Sequence, residues 1–308
     1  ITAALSRACQ LRSEHPDALD RQAYVDLLAD AIDGLRPGKK RLELMEELRE
    51  LAPDHPAVAP AKYHLERVAL ARRIYRDSPD RARSILEKTI SAMESEESFE
   101  PGNTLEGAYK LLGRIWLHEY DQPQRAKSLF ETYIQRSTGQ EFHERLETTT
   151  RILEAGEAYE TAIELVQSHI SMLEHSPHWT RSHLYRLASL QLAASVEPEK
   201  VQKTLSSYVD IAEEHSHGYA RRRAYIEAYN LLRDAGRPEL GIRYLEDLVE
   251  HHDVQNSWQY AHTAYVKLGR LDAAKKLVRR YLADRDNASA YAAAAHWTMD
   301  AGRHQEAI

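Results

Sequence analysis

Trp258-Gln259-Tyr260-Ala261-His262-Thr263-Ala264-Tyr265-Val266-Lys267-Leu268-Gly269-Arg270-Leu271-Asp272-Ala273-Ala274 is the stretch that decides the fold of this chain. Its apolar and small residues return at steps of three and four on both sides of Gly269-Arg270, the period of an amphipathic helix. A glycine between two such runs takes φ > 0 at low cost, so the chain can reverse there. The stretch reads as helix, tight turn, helix. It also recurs: Gly236-Arg237, Gly269-Arg270 and Gly302-Arg303 are spaced by 33 and 33 residues. The aromatics Tyr225, Trp258 and Tyr291 keep that step, as do Ala228, Ala261 and Ala294, and Gly241, Ala274 and Ala307. Four columns in phase mark an internal repeat. The small residues let two helices approach closely, and the aromatic fills the gap to the next pair.

The helical period continues outward, through Leu42, Met45, Leu48 and Leu51, through Ala82, Ile85, Leu86, Thr89 and Ile90, and through Ile163, Val166, Ile170 and Leu173. All eleven prolines sit where such a pattern starts or stops, as expected of a residue tolerated only in the first turn of a helix. No strict alternation bounded by hairpin signals occurs, so no sheet is expected. Helices are expected at 3–14, 21–33, 39–51, 58–76, 79–95, 103–118, 123–136, 141–155, 158–174, 178–194, 198–214, 218–234, 238–251, 255–267, 271–284, 288–300 and 303–308. Short connections between them imply antiparallel neighbours.

These columns resemble the tetratricopeptide repeat (TPR) family. The segment Trp258…Ala261…Tyr265…Gly269…Ala274…Val278 follows that family's unit. Leu112-Gly113…Trp116…Ala126…Phe130 follows it with one extra residue, and Leu51-Ala52-Pro53 resembles its closing proline. Stepped backward, the small-residue column falls at 307, 274, 241, 201, 162, 126, 82 and 41, where Val201 and Arg41 depart from type. The resemblance implies an all-α fold, with antiparallel helix pairs stacked into a right-handed α-solenoid over 1–308, regular over 222–308 and degenerate over 1–221. Residues 3–14 read as a second helix without a first, and 303–308 as the start of another. A solenoid ends on polar caps, so the chain is expected to be an excerpt of a longer array.

Composition bounds the function. Hydrophobic residues make up 43%, enough to bury a sizeable core. The formal net charge of −7 argues against binding nucleic acid by bulk charge. No apolar run approaches ~18 residues, so no membrane-spanning helix is expected. Cys9 is the single cysteine, which excludes an internal disulfide and any cysteine-based zinc site; it reads as a small buried hydrophobe. The sequence points to no compartment.

Each candidate for chemistry in the sequence has a plainer reading. His118-Glu119 and His143-Glu144 begin like a zinc-protease motif, but Gln122 and Glu147 stand where the second histidine belongs. Gly34-Leu35-Arg36-Pro37-Gly38-Lys39-Lys40 is one residue short of a phosphate loop and lacks the Ser or Thr after Lys39; it reads as a turn between helices. The histidines at 169, 175, 178 and 183, at 215 and 217, and at 251 and 252 beside Asp253 fall near helix ends and read as solvated polar residues rather than ligands. Arg221-Arg222-Arg223 and Lys275-Lys276…Arg279-Arg280 read as solvated helix faces, with a cationic wall for an acidic peptide or phosphates as the functional alternative. The acidic run at 94–97 reads as a solvated helix end. No catalytic residue, metal site or cofactor is expected.

What remains is an interaction module or scaffold arm. In the TPR family the groove lined by first helices binds peptides or partner domains. Carrying its columns over gives Arg223, Asn230 and Arg233 in one unit, Asn256, Gln259 and Thr263 in the next, and His296 and Met299 in the last. Arginine with amides suits an extended, acidic protein or peptide partner, although the set does not match the family's Lys/Asn carboxylate clamp. The alternative is an RNA-binding helical repeat, because Tyr265-Val266-Lys267-Leu268-Gly269-Arg270-Leu271-Asp272 also resembles the pentatricopeptide family. Repeat steps of 33 to 44 residues and the negative charge speak against such a code.

Overall fold

Proline and the helical period set where the chain winds. A computed structural model describes residues 20–36, 38–95, 102–173, 176–252, 254–283, 285 and 287–300. The expected helices at 3–14 and 303–308, together with Cys9, His175, Asp253, Gly302-Arg303 and Ala307, lie outside the described residues. Among those described there are fifteen α-helices and no strand: α1 Arg21–Gly34, α2 Lys39–Leu51, α3 Pro60–Ile74, α4 Pro79–Ser95, α5 Gly102–His118, α6 Pro123–Gln135, α7 Gly139–Ala155, α8 Tyr159–Ile170, α9 Pro177–Ala193, α10 Pro198–His215, α11 Tyr219–Asp234, α12 Pro238–His251, α13 Gln255–Lys267, α14 Leu271–Ala283 and α15 Ala288–Asp300. Six of these open on proline, whose missing N–H would have no partner in a first turn anyway.

Two expected helices run shorter than their apolar pattern. Pro56–Val58 winds as a separate 3₁₀ turn, with the Ala57 N–H donating to His55 Nδ1 at 3.2 Å, and Pro60 then starts α3 afresh. Ser171–Leu173 likewise tightens to 3₁₀ after α8.

Residue contacts divide the chain into two compact units, Ile1–Thr161 and Ala162–Ile308, with the division inside α8. In the first unit α1 packs on α2, α3 on α4 and α5 on α6; in the second, α9 packs on α10, α11 on α12 and α13 on α14. Alternate helices also touch: α3 meets α5, α5 meets α7, and α13 meets α15. That second set of contacts makes a stack of pairs, because each pair leaves an apolar side that only its neighbour covers. The small-residue column lies on the intervening helices, α4, α6, α8, α10, α12 and α14. Ala82, Ala126, Ala162 and Ala274 are buried, and so is Val201, whose branched side chain the site accommodates. Arg41 is the true departure: its guanidinium pairs with Glu66 at 3.2 Å and donates to the Leu35 carbonyl at 3.3 Å.

The turns carry the repeat further than the glycines do. Gly236 and Gly269 have φ of 74° and 70°. Asp121, Glu157 and Ser195 hold the same left-handed conformation, with φ of 50°, 57° and 55°, in the turns that follow α5, α7 and α9. In four of these five turns the next N–H reaches five residues back to close the helix end: Ala158 to the Leu153 carbonyl at 2.9 Å, Val196 to Gln191 at 2.9 Å, Arg237 to Leu232 at 2.8 Å and Arg270 to Tyr265 at 2.9 Å; in the Asp121 turn Gln122 reaches six back, to Trp116 at 2.8 Å. The five-residue reach is the Schellman closure. A left-handed residue with a Cβ costs about 1–2 kcal/mol, so substitutions at equivalent turns should act in opposite directions. Gly269→Val should destabilise by about 1–2 kcal/mol, through strain alone, since a Cβ at Gly269 meets nothing within 4 Å. Ser195→Gly should stabilise by about 0.5–1 kcal/mol. Urea melts of the two variants check this; shifts of the same sign would contradict the shared turn.

Candidate partner-binding groove

The groove forms where α11 and α13, first helices of adjacent pairs, present their C-terminal and central turns to each other. Both are held by their buried faces. Ala224, Tyr225, Ala228, Tyr229 and Leu232 anchor α11, while Trp258, Ala261, His262, Ala264 and Tyr265 anchor α13. The faces left over enclose a pocket of about 300 Å³. Tyr229 and Arg233 line it from α11, and Asn256, Gln259, Thr263 and Lys267 line it from α13, with Tyr260 and Ala264 between them.

Four of the eight residues picked from the sequence therefore share one pocket: Arg233, Asn256, Gln259 and Thr263. Asn230 stands behind it, where its Oδ1 accepts from the Tyr260 hydroxyl at 2.8 Å and ties α11 to α13. Arg223 does not reach it. It lies ten residues before Arg233 on a continuous helix, about 15 Å away along the axis, and pairs with Glu227 at 2.7 Å. His296 and Met299 are exposed on α15 and line no part of this pocket. The sequence reading missed Lys267, although it continues the four-residue step of Gln259 and Thr263. Tyr229 and Tyr260 were also missed, since aromatic residues on a repeat read first as core.

Arg233 lies over the Tyr229 ring at 5.9 Å and pairs with its neighbour Asp234 at 2.7 Å. Asp234 is 67% exposed, and an ion pair so open to solvent contributes little, which leaves the guanidinium able to take another carboxylate. Tyr229 and Tyr260 meet edge to face at 6.4 Å. Burial pushes the Tyr229 phenol above its ordinary value, while Arg233 pulls it back. The Thr263 hydroxyl donates to the Gln259 carbonyl at 2.8 Å. The lining thus offers two cations, two amides and no carboxylate.

Other candidates separate clearly. His169 and His183 are buried rather than solvated; the His169 ring meets the Leu165 carbonyl at 2.9 Å, which lets a polar ring sit inside the helix layer. His143 is buried 3.7 Å from Glu147. His252 reaches Glu213 at 2.6 Å, which also pairs with Arg221 at 3.7 Å. Arg221 is no free cation, because its Nε donates to the Ser216 carbonyl at 2.6 Å. Lys275, Lys276, Arg279 and Arg280 are exposed on α14, where Arg280 lies over Trp258 at 5.6 Å. Among the described residues, no group of three or more His, Cys, Asp or Glu is placed to hold a metal ion, and no helix is long and apolar enough to cross a membrane.

The fold defines the chain as an all-α protein of stacked helix pairs. No family model matches it, and no curated protein does. Solved structures give weak likenesses. Nearly identical TPR-like repeats of kinesin-light-chain type from Podosopora anserina share 16% identity at a TM-score of 0.37, covering 64% of this chain and 99% of that one. BtubC from P. vanneervenii shares 12% at 0.37, covering 75% and 92%. A signal-transduction ATPase with a tetratricopeptide repeat sensor from Pyrococcus horikoshii shares 12% at 0.38, covering 94% and 46%. Superpositions at this level carry no weight for function; the helix-pair repeat stands on the columns and turns described above.

Proposed function

We propose that this chain is a non-catalytic interaction module that takes an acidic, extended protein segment between α11 and α13. The supporting observation is the pocket wall itself, in which Arg233 and Lys267 flank Asn256 and Gln259 with no carboxylate among the lining residues. A guanidinium can bind a carboxylate through two parallel N–H bonds, and side-chain amides can donate to and accept from a peptide backbone. Arg223, one face and three turns away, would contribute only to a ligand long enough to run along α11.

The test is fluorescence anisotropy of the whole chain with a labelled peptide of alternating aspartate and serine. Arg233→Glu combined with Lys267→Glu should weaken binding at least about tenfold, which is about 1.4 kcal/mol, through lost pairing and like-charge repulsion. Arg223→Glu should change it much less. Melting should stay within about 0.5 kcal/mol of the parent, as for most surface substitutions. Equal binding by the parent and the doubly reversed variant would remove the groove assignment. A single-stranded RNA that binds more tightly than the peptide, and loses affinity steeply with salt, would favour the nucleic-acid reading.

A further inference from the structure

The corresponding place in the first unit has the opposite charge. Between α5 and α7, alternate helices that touch each other, lies a cavity of about 890 Å³. Glu106 enters it from α5, and Glu141, Glu144 and Glu147 from α7, against the guanidiniums of Arg145 and Arg151. Glu106 pairs with Lys110, Glu141 with Arg145 and Glu147 with Arg151, each four residues along its own helix. The Glu106–Lys110 and Glu147–Arg151 pairs join partly exposed side chains, where such pairs are weak and exchange readily, whereas Arg145 is largely buried and also donates to the Tyr133 carbonyl at 2.6 Å. Glu144 has a different partner, the neutral Gln140 amide at 2.8 Å, and forms no ion pair among the described residues.

A second observation is independent of these carboxylates. Tyr133, at the end of α6, lines the same cavity although it is only 2% exposed. Its ring stacks on Tyr109 at 4.8 Å and carries the Arg145 guanidinium at 4.2 Å, which fixes its direction. Its hydroxyl makes no hydrogen bond among the described residues, whereas the neighbouring Tyr109 hydroxyl donates to Glu94. Burial raises the Tyr133 phenol above its ordinary value, and the charges of Glu106 and Glu141 on the cavity wall act in the same direction. The group therefore stays a neutral hydroxyl, able to accept an N–H and to donate its own proton. The side chain is buried but its hydroxyl opens to the cavity, where a ligand N–H reaching it would take the place of water.

We propose that the α5–α7 cavity is a second binding site, which takes an extended peptide segment bearing arginine or lysine side chains. The dimensions fit. The lining of α7 runs from Glu141 to Arg151, about 15 Å of helix, or about five residues of extended chain. Glu141, Glu144 and Glu147 rise about 4.5 Å apart, within reach of same-side cations about 6.6 Å apart on an extended segment. Glu144 receives the first cation, and the Tyr133 hydroxyl accepts an N–H from the deepest one. A segment suited to the α11–α13 pocket would be repelled here, so the two sites do not compete for a ligand, and neither proposal depends on the other.

The experiment uses the whole 308-residue chain and a fluorescein-labelled peptide alternating arginine and serine, read by anisotropy at low salt. Binding is expected to the parent chain, and at least about tenfold weaker to Glu144→Gln with Glu147→Gln, the change that 1.4 kcal/mol produces. Glu199→Gln with Glu214→Gln removes the same charge from exposed sites in the other unit and should leave binding unchanged. Tyr133→Phe keeps the ring packing and should weaken binding about threefold, a loss of the size expected for one hydrogen bond, with an unchanged melting curve. The same peptide with citrulline in place of arginine should not bind. The proposal is overturned if the Glu144/Glu147 variant, folded by circular dichroism, binds like the parent, or if the Glu199/Glu214 control loses as much. Spermidine binding as tightly as the peptide would overturn it too, since the site would then select charge without a peptide chain.

Discussion

Gly113→Val is expected to destabilise the first unit by about 3 kcal/mol, at the upper end of the cost of overpacking a filled core. Gly113 sits inside α5, where glycine is a poor helix former and any side chain would improve local propensity by a few tenths of a kcal/mol. Packing decides the sign. A Cβ built on Gly113 runs into Cζ and Cε1 of Phe130 and stands 3.2 Å from Cε2. Phe130 on α6 is fully buried, with Ala126 one turn before it and Ile134 one turn after it also fully buried, so the ring has nowhere to move. The missing side chain of Gly113 is the space that Phe130 occupies. Phe130→Leu alone should cost about 1–2 kcal/mol for the cavity it leaves. Combined with Gly113→Val, part of that loss should be returned, because each change relieves the other, with a coupling of about 1 kcal/mol or more. Thermal melts of the four proteins measure it. Strict additivity would mean that residues 113 and 130 do not meet.

That contact also shows what could be read in the sequence and what could not. Leu112-Gly113 and Phe130 stood out as a repeat-like pattern, and local chemistry was enough to place nearly every described helix, since proline and apolar period act over a few residues. The turns of the N-terminal part were harder. Asp121, Glu157 and Ser195 adopt the conformation that Gly236 and Gly269 adopt, but a left-handed residue with a Cβ is held there by the helix pair around it, and nothing in its type announces it. Without those marks the repeat seemed to dissolve before residue 222.

The same limit applies to the sites. In the second unit the phase was known, so Arg233, Asn256, Gln259 and Thr263 could be picked before the pocket was seen. The α5–α7 cavity draws on three helices between Asn103 and Arg151, where the phase was not secure. Its key group, Tyr133, reads as an ordinary core aromatic. The sequence reads His169 and His183 as solvated near helix ends, whereas His169 is buried in the last turn of α8 and His183 lies inside α9 on its buried face.

Trp258→Ala and Tyr291→Ala should differ sharply, although the two residues occupy one column of the repeat. Trp258 is 2% exposed and Tyr291 is 52% exposed. Trp258 packs at 5.5 Å on Tyr281 of α14, the second helix of its own pair, and Tyr281 in turn meets Trp297 of α15 at 4.7 Å. Arg285 lies 5.5 Å from the Trp258 ring and 4.7 Å from that of Tyr281. Tyr225, the earlier member of the column, is held the same way by His252 at 5.6 Å, just after its own second helix. Trp258 and Tyr225 are thus covered from the helix that follows or the residue just after it; residues 301–308, which follow α15, lie outside the described residues. Truncating Trp258 should cost about 3–5 kcal/mol, as for other large buried aromatics, because it opens a cavity and removes the ring over which Arg280 lies at 5.6 Å. Truncating Tyr291 should stay within about 0.5 kcal/mol. Urea unfolding followed by circular dichroism separates the two. Equal losses would contradict the difference in burial between the two residues.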